Sequence, residues 1–205
     1  MGEGNFLITL YSGTPGSGKS LHTARRIYYS CKFGKTVIGN FEIDKGKLKG
    51  KGEYYYINNA HLTPDVLIKY SGIFFGGKRV KEGSILLIID ECQLLFNARE
   101  WNKKGRDNWL SFFTQHRKYG YDIILVAQFD RMVDRQIRSL IEYEFIHRKI
   151  NNIGKWGKIF SLIAMGNLFV SVEYYYPLKE RLGSEFFKAH KKFYSLYDTF
   201  NSFQN

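Results

Sequence analysis

The run Phe6-Leu7-Ile8-Thr9-Leu10-Tyr11 leads directly into Gly13-Thr14-Pro15-Gly16-Ser17-Gly18-Lys19-Ser20, and the reading of this stretch decides the fold. An apolar segment of strand length ending in G-x-x-x-x-G-K-S is a phosphate-binding loop. Its glycines let successive backbone amides curl around a β-phosphate, because a Cβ would block both the approach and the backbone angles. Lys19 supplies a point charge to the β- and γ-phosphates. Ser20 opens the next helix, whose N-terminus adds its positive dipole and whose hydroxyl is a ligand for Mg²⁺. All eight residues, Gly13, Thr14, Pro15, Gly16, Ser17, Gly18, Lys19 and Ser20, are candidate nucleotide-binding positions. The alternative is a plain glycine-rich turn between a strand and a helix, and the flanking pattern argues against it.

Composition sets the bounds. A chain of 205 residues with 44% hydrophobic residues and 3 prolines has enough apolar material to fold as one domain. A formal charge of +12 calls for an acidic partner, with nucleic acid first and an anionic membrane face second. The two cysteines, Cys31 and Cys92, lack metal-ligand spacing and read as packed thiols in a reducing compartment. Met1 to Asn5 has neither the basic nor the apolar region of a signal peptide, so a cytoplasmic location is expected. The longest apolar stretch, Ile159 to Val172, is too short to cross a bilayer and is broken at Gly166-Asn167, which reads as a β-hairpin turn.

Along the chain, strands and helices alternate. Residues 5–11 read as a strand and Lys19 to Cys31 as a helix with Leu21, Ala24 and Ile27 inward. Thr36 to Ile43 reads as a strand, and Lys45 to Gly52, alternating basic and small residues, as an exposed loop or a phosphate-tracking contact. Glu53 to Ile57 is expected in a hairpin. Thr63-Pro64-Asp65 starts a helix with a threonine cap and proline at its first position. Ile85-Leu86-Leu87-Ile88-Ile89 is continuous enough for a strand covered on both faces. A helix over 107–119, a strand Asp122 to Ala127, a helix near Asp134 to Leu140 and a strand Glu144 to His147 follow. The pattern predicts an α/β protein, a P-loop NTPase with a parallel central sheet covered by helices. Residues 1–150 form that core, and 151–205 read as an appended hairpin over 156–176 and a helix from Ser184 to Phe203.

Asp90-Glu91 ends the central apolar strand, where a P-loop protein needs a carboxylate for Mg²⁺. Ser20 and Asp90 are thus the candidate metal ligands. Glu91 can orient and deprotonate an attacking water, which favours hydrolysis over transfer to an organic acceptor. Gln128, at the end of Ile123 to Ala127, is placed to sense the γ-phosphate. Charge on the γ-oxygens also wants an arginine, in cis or from a neighbouring subunit. Arg117, Arg135, Arg138 and Arg148 are the candidates, and Arg117 is favoured because it precedes the strand leading to Gln128. His116 at a helix end reads as structural.

These residues together resemble a known group. GTPGSGKS, ILLIIDECQLLFNAREW (85–101), QHRKYGYDIILVAQ (115–128), DRQIRS (134–139) and YSLYDTF (194–200) are similar to the ATPase domain of the zonular occludens toxin (Zot) family, which includes filamentous-phage assembly and export proteins. Phe96-Asn97 followed by Arg99-x-Trp101 makes the likeness specific. The resemblance implies the additional-strand, catalytic-glutamate class of P-loop fold, related to DNA-translocating hexamers, and supports Glu91, Lys19, Gln128 and Arg117 as catalytic residues. It further implies ATP and Mg²⁺ as cofactors, a homo-oligomeric ring, and action on phage single-stranded DNA or its coat complex with inner-membrane assembly proteins. Family members commonly continue into a transmembrane helix and an extracytoplasmic part. The expectation here is an excised cytoplasmic domain or a short version that reaches the membrane through a partner, and the toxin activity associated with the extracytoplasmic part is not carried over. A small-molecule kinase and a non-enzymatic basic DNA-binding or nucleotide-binding scaffold remain the alternatives.

Overall fold

The computed structural model describes residues 7–99, 105–150 and 167–197. Its centre is an eight-stranded sheet in the order β3-β2-β4-β5-β1-β6-β7-β8. The strands are β1 (Ile8–Ser12), β2 (Thr36–Gly39), β3 (Tyr54–Tyr56), β4 (Ile85–Ile89), β5 (Tyr121–Val126), β6 (Tyr143–Lys149), β7 (Leu168–Tyr175) and β8 (Glu180–Lys188). From β3 to β6 every neighbouring pair is parallel, while β7 and β8 add on antiparallel. The helices are α1 (Lys19–Lys32), α2 (Pro64–Phe75), α3 (Arg106–Gln115), α4 (Arg135–Arg138) and α5 (Lys191–Tyr194).

Burial explains this arrangement. All five residues of β4 are buried, as a strand needs when helices cover both faces. Each such aliphatic side chain contributes about 1.5–3 kcal/mol relative to exposure. On one face Ile8, Leu10, Leu87 and Ile89 pack against Leu67 of α2, Trp109, Phe112 and Phe113 of α3, and Ile137 of α4. On the other, Tyr11, Leu86, Ile88 and Val126 meet Leu21, Ala24 and Ile27 of α1 and Phe193 of α5. Cys92 lies in the first cluster and Cys31 in the second, so the sheet separates two free, buried thiols.

Several boundaries differ from the sequence reading. β2 stops at Gly39, because the next residue turns its side chain toward β4 instead of continuing the strand. Tyr54 to Tyr56 is not in a hairpin but pairs parallel with β2 at the sheet edge, reached by the long crossover through Lys45 to Gly52. The helix expected over 107–119 ends at Gln115 and tightens into a 3₁₀ turn over His116–Tyr119. The helix expected from Ser184 to Phe203 is largely a strand: Ser184 to Lys188 belong to β8, and only Lys191–Tyr194 are helical. Phe186, Phe187 and Phe193 fit helical spacing on paper, but the free edge of β7 offers β8 a full ladder of partners. The hairpin found is therefore β7–β8, one strand later than expected, and the proposed first arm over 156–166 lies outside the described residues, as do Trp101 and residues 198–203.

Gly39 shows how closely β2 and β4 approach. A Cβ there would sit 2.5 Å from the Ile88 carbonyl oxygen, inside the sheet. Gly39→Ala is expected to destabilise the protein by about 1–3 kcal/mol, read as a lower urea midpoint at unchanged slope.

Candidate nucleotide-binding site

The chain leaves β1 at Ser12 and turns through Gly13, whose φ of 142° brings it against β6: a Cβ would lie 2.5 Å from the His147 carbonyl oxygen. Gly13 N–H donates to the Gln128 carbonyl (3.0 Å), tying the loop to the end of β5. Gly16 and Gly18 have φ of 74° and 97°, angles that favour glycine. Gly18 is also the N-cap of α1, so no side chain caps the helix, and its first turn carries no acidic residue. The amides at that end are left for an anion. Lys19 Nζ folds back onto the loop carbonyls of Gly13 (2.5 Å) and Thr14 (3.2 Å). Burial lowers its pKa, and the nearby Glu91 and Asp90 oppose that. Thr14, Pro15 and Gly16 are exposed, whereas the buried Ser17 hydroxyl has no hydrogen-bond partner.

Beneath the loop lies a pair the sequence reading missed. His147 Nδ1 lies 3.1 Å from the Ser12 carbonyl and donates to it, which leaves Nε2 to accept from His22 Nδ1 at 2.8 Å. Burial pushes His147 down to about 4 and His22 well below its ordinary value, so neither is charged at neutral pH. Together they join both ends of the loop to β6.

Asp90 and Glu91 stand at the end of β4, one strand removed from β1 with β5 between them. Burial, and then the neighbouring Glu91 charge, raises Asp90 to about 6. Glu91 holds a left-handed conformation (φ 45°, ψ 46°), uncommon for a residue with a side chain and concentrated at functional sites. Gln93 Nε2 donates to its carboxylate. Asn40, just past β2, grips the backbone of Asp90 from both sides. Its Oδ1 accepts from Asp90 N–H (2.6 Å), and its Nδ2 donates to the Asp90 carbonyl (2.9 Å) and to Asn59 Oδ1 (2.6 Å).

The remaining candidates separate by sheet end. Gln128 is half-buried beside the loop and lines a cleft of about 540 Å³ with Ser12, Thr14, Glu144 and Arg148. In that cleft Ser12 Oγ donates to Glu144 (2.7 Å), and Lys179 lies 3.4 Å from the other Glu144 oxygen. Arg117 does not approach the loop. It occupies the turn before β5, where its guanidinium donates to Glu142 (3.3 Å), and the six residues of β5, about 20 Å of strand, separate it from Gln128. Arg148 instead is the candidate arginine at the loop end, because β6 runs parallel to β1 past Ser12. Arg135 is exposed on α4, and Arg138 donates to the Asp130 carbonyl (3.4 Å). His116 is buried with Nδ1 2.6 Å from the Phe113 carbonyl, a packing role.

The sequence profile of the zonular occludens toxin (Zot) family matches residues 7–200. The chain belongs to the Zot family. It is 30% identical to the Gene 1 protein of Enterobacteria phage M13 over 97% of this chain, and it spans 60% of that relative's length. In structure it is similar to the N-terminal domain of zonular occludens toxin from Neisseria meningitidis, with a TM-score of 0.59 at 20% identity, covering 94% of this chain and 98% of that one. It is also similar to the genome packaging NTPase B204 of Sulfolobus turreted icosahedral virus 2, with a TM-score of 0.53 at 15% identity, covering 90% and 98%. The fold is that of a P-loop NTPase.

In this Zot-family site the raised pKa of Asp90 means that the folded state holds the proton more tightly than the unfolded chain. The cost of ionising it is absent below about pH 4 and complete above about pH 6. Asp90→Asn is therefore expected to stabilise the nucleotide-free protein at neutral pH by about 2 kcal/mol, or roughly 4–8 °C in Tm, with the gain vanishing toward pH 4. Thermal scans across pH check this. Asn40→Ala is expected to leave nucleotide affinity within about threefold and to destabilise the protein by about 1–3 kcal/mol, because it strips the Asp90 N–H and carbonyl of their side-chain partner. Separate measurements of Kd and of the urea midpoint decide it.

Proposed function

We propose that this chain is an ATP-hydrolysing, motor-like assembly factor for filamentous-phage virion assembly and export. It works as a homo-oligomeric ring at the cytoplasmic face of the host inner membrane. The observation that carries the reading is the pairing of an uncapped phosphate loop with Asp90-Glu91, held across one intervening strand. A kinase of small molecules needs an acceptor site opposite the γ-phosphate, whereas a carboxylate there suits water. Support also comes from the family membership and from the likeness to a viral genome-packaging NTPase solved with ATPγS.

The chain's residues divide the work. The loop amides and Lys19 cradle the β- and γ-phosphates, drawing the Lys19 ammonium off its own loop carbonyls. Glu91 takes the proton of the attacking water as the new P–O bond forms and the bond to the β-phosphate oxygen breaks. Lys19 and the amides stabilise the charge left on the departing diphosphate. Gln128 contacts the γ-phosphate from the end of β5. Two carboxylates beside one lysine leave a net negative charge that suits a divalent cation. Ser20 and Asp90 would hold Mg²⁺, which neutralises phosphate charge when bound. Arg148 faces the same cleft, while Arg117 reaches a phosphate only across a subunit boundary.

Among the described residues no helix is long and apolar enough to cross a membrane. In this reading the chain acts together with inner-membrane assembly proteins, and the cargo is phage single-stranded DNA or its coat complex. Lys19→Ala is expected to abolish phosphate release. Glu91→Gln should keep ATP binding and lose about 10²–10⁴-fold in turnover. Full hydrolysis by both variants, or turnover that requires an organic acceptor, would sink the proposal.

A further inference from the structure

Gln93 is a buried polar residue that the reaction set out above does not use. It sits at 8% exposure between Cys92, packed in the core beneath the sheet, and the exposed Leu94. Its Nε2 donates to Glu91 Oε2. Residues two apart on an extended chain point to opposite sides, so this contact needs a bend. The left-handed backbone of Glu91 (φ 45°, ψ 46°) supplies it, and the chain closes into a 3₁₀ turn over Cys92–Leu94 with Leu94 N–H on the Glu91 carbonyl (2.8 Å). The other end of the amide is unsatisfied: Gln93 Oε1 is buried and has no hydrogen-bond partner. Turning the amide over would only set two acceptors against each other.

Two unfavourable features therefore meet in one contact. A left-handed residue with a side chain costs free energy, and so does a buried acceptor left unpaired. An apolar side chain of the same length would remove the second cost and fill the same space. What it could not do is donate to Glu91. We propose that Gln93 is a positioning residue for hydrolysis, holding the Glu91 carboxylate by one oxygen so that the other is presented to the attacking water. The proposal rests on the reading of Glu91 as the general base. A glutamate has three side-chain torsions, and a fixed hydrogen bond at its tip leaves few of their combinations, which is what orientation for proton transfer requires. A neutral amide suits the task, because a charged donor would hold the carboxylate as an ion pair and weaken its pull on the proton of water. Lys19, the cation nearest in the site, instead spends its ammonium on the Gly13 and Thr14 carbonyls.

The test is steady-state ATP hydrolysis, with nucleotide affinity and urea unfolding measured separately, on Gln93→Met, Gln93→Glu, Glu91→Gln and the double variant Glu91→Gln with Gln93→Met. Gln93→Met keeps the length of the side chain and removes both amide atoms. It should lower kcat about tenfold and leave Kd for ATP within about twofold, because Gln93 acts through Glu91 and not on the nucleotide. Its urea midpoint should be no lower than wild type, since the unpaired Oε1 is gone. Gln93→Glu, which replaces the donor by an acceptor at the same length, should lose at least as much turnover. Gln93→Met added to Glu91→Gln should cost nothing further, as expected of two residues that work as one unit. Wild-type kcat in Gln93→Met beside an impaired Glu91→Gln would overturn the positioning role and leave the hydrolytic reading standing. Equal losses with and without Glu91→Gln would overturn it too, as would a fall in kcat matched by lost affinity and a lower urea midpoint. Full turnover in Glu91→Gln would remove the general-base reading and this role with it.

Discussion

The site depends on one constraint, that the first amides of α1 receive no side-chain cap. A helix normally satisfies its first N–H groups with a side-chain cap, and α2 does so with Thr63 and α4 with Asp134. α1 starts at Gly18 with none, as α3 does at Gly105, but α1 also lacks the acidic first-turn residue that α3 has in Asp107. Leaving those groups open costs stability unless an anion completes them, so the loop has to be held open by its surroundings. Gly13 is bonded to Gln128, and Ser12 to Glu144 and His147, which in turn meets His22 on α1. The ends of three parallel strands and the first turn of a helix therefore fix one short loop.

The same arrangement places Asp90 and Glu91. With β5 between β1 and β4, the pair is set back from the loop by one strand. Glu91 holds a left-handed backbone, and the residue before it is fixed by two hydrogen bonds with the Asn40 side chain, one accepted from its N–H and one donated to its carbonyl. Here local strain is sustained by a neighbour across the sheet, as strained residues require.

Much of this was legible in the residues. The loop, the five-aliphatic run of β4 and the threonine-proline start of α2 each carry their structure locally, because spacing or burial on both faces leaves few alternatives. What escaped was set by pairing between distant segments. Asn40 gains its role only because β2 lies beside β4, and His22 and His147 meet only because β6 lies beside β1. Arg117 was favoured for its closeness in sequence to Gln128, but a parallel strand carries its two ends to opposite edges of the sheet. Ser184 to Lys188 had a helical spacing that the free edge of β7 overrode. Glu53 to Ile57 suited a hairpin, yet the available neighbour was β2, in parallel. In each case a long-range ladder outweighed a local preference.

The electrostatics of the site follow from the same geometry. Lys19 is drawn down by burial and leans on its own carbonyls, while Asp90 is pushed up by burial and by Glu91. Both groups are held in conditions that disfavour their charged forms. A phosphate beside Lys19 or a cation beside Asp90 would relieve one of these penalties, so the charge state of each group responds to what is bound next to it. Asp90 is in turn tied through Asn40 to β2, toward the outer edge of the sheet.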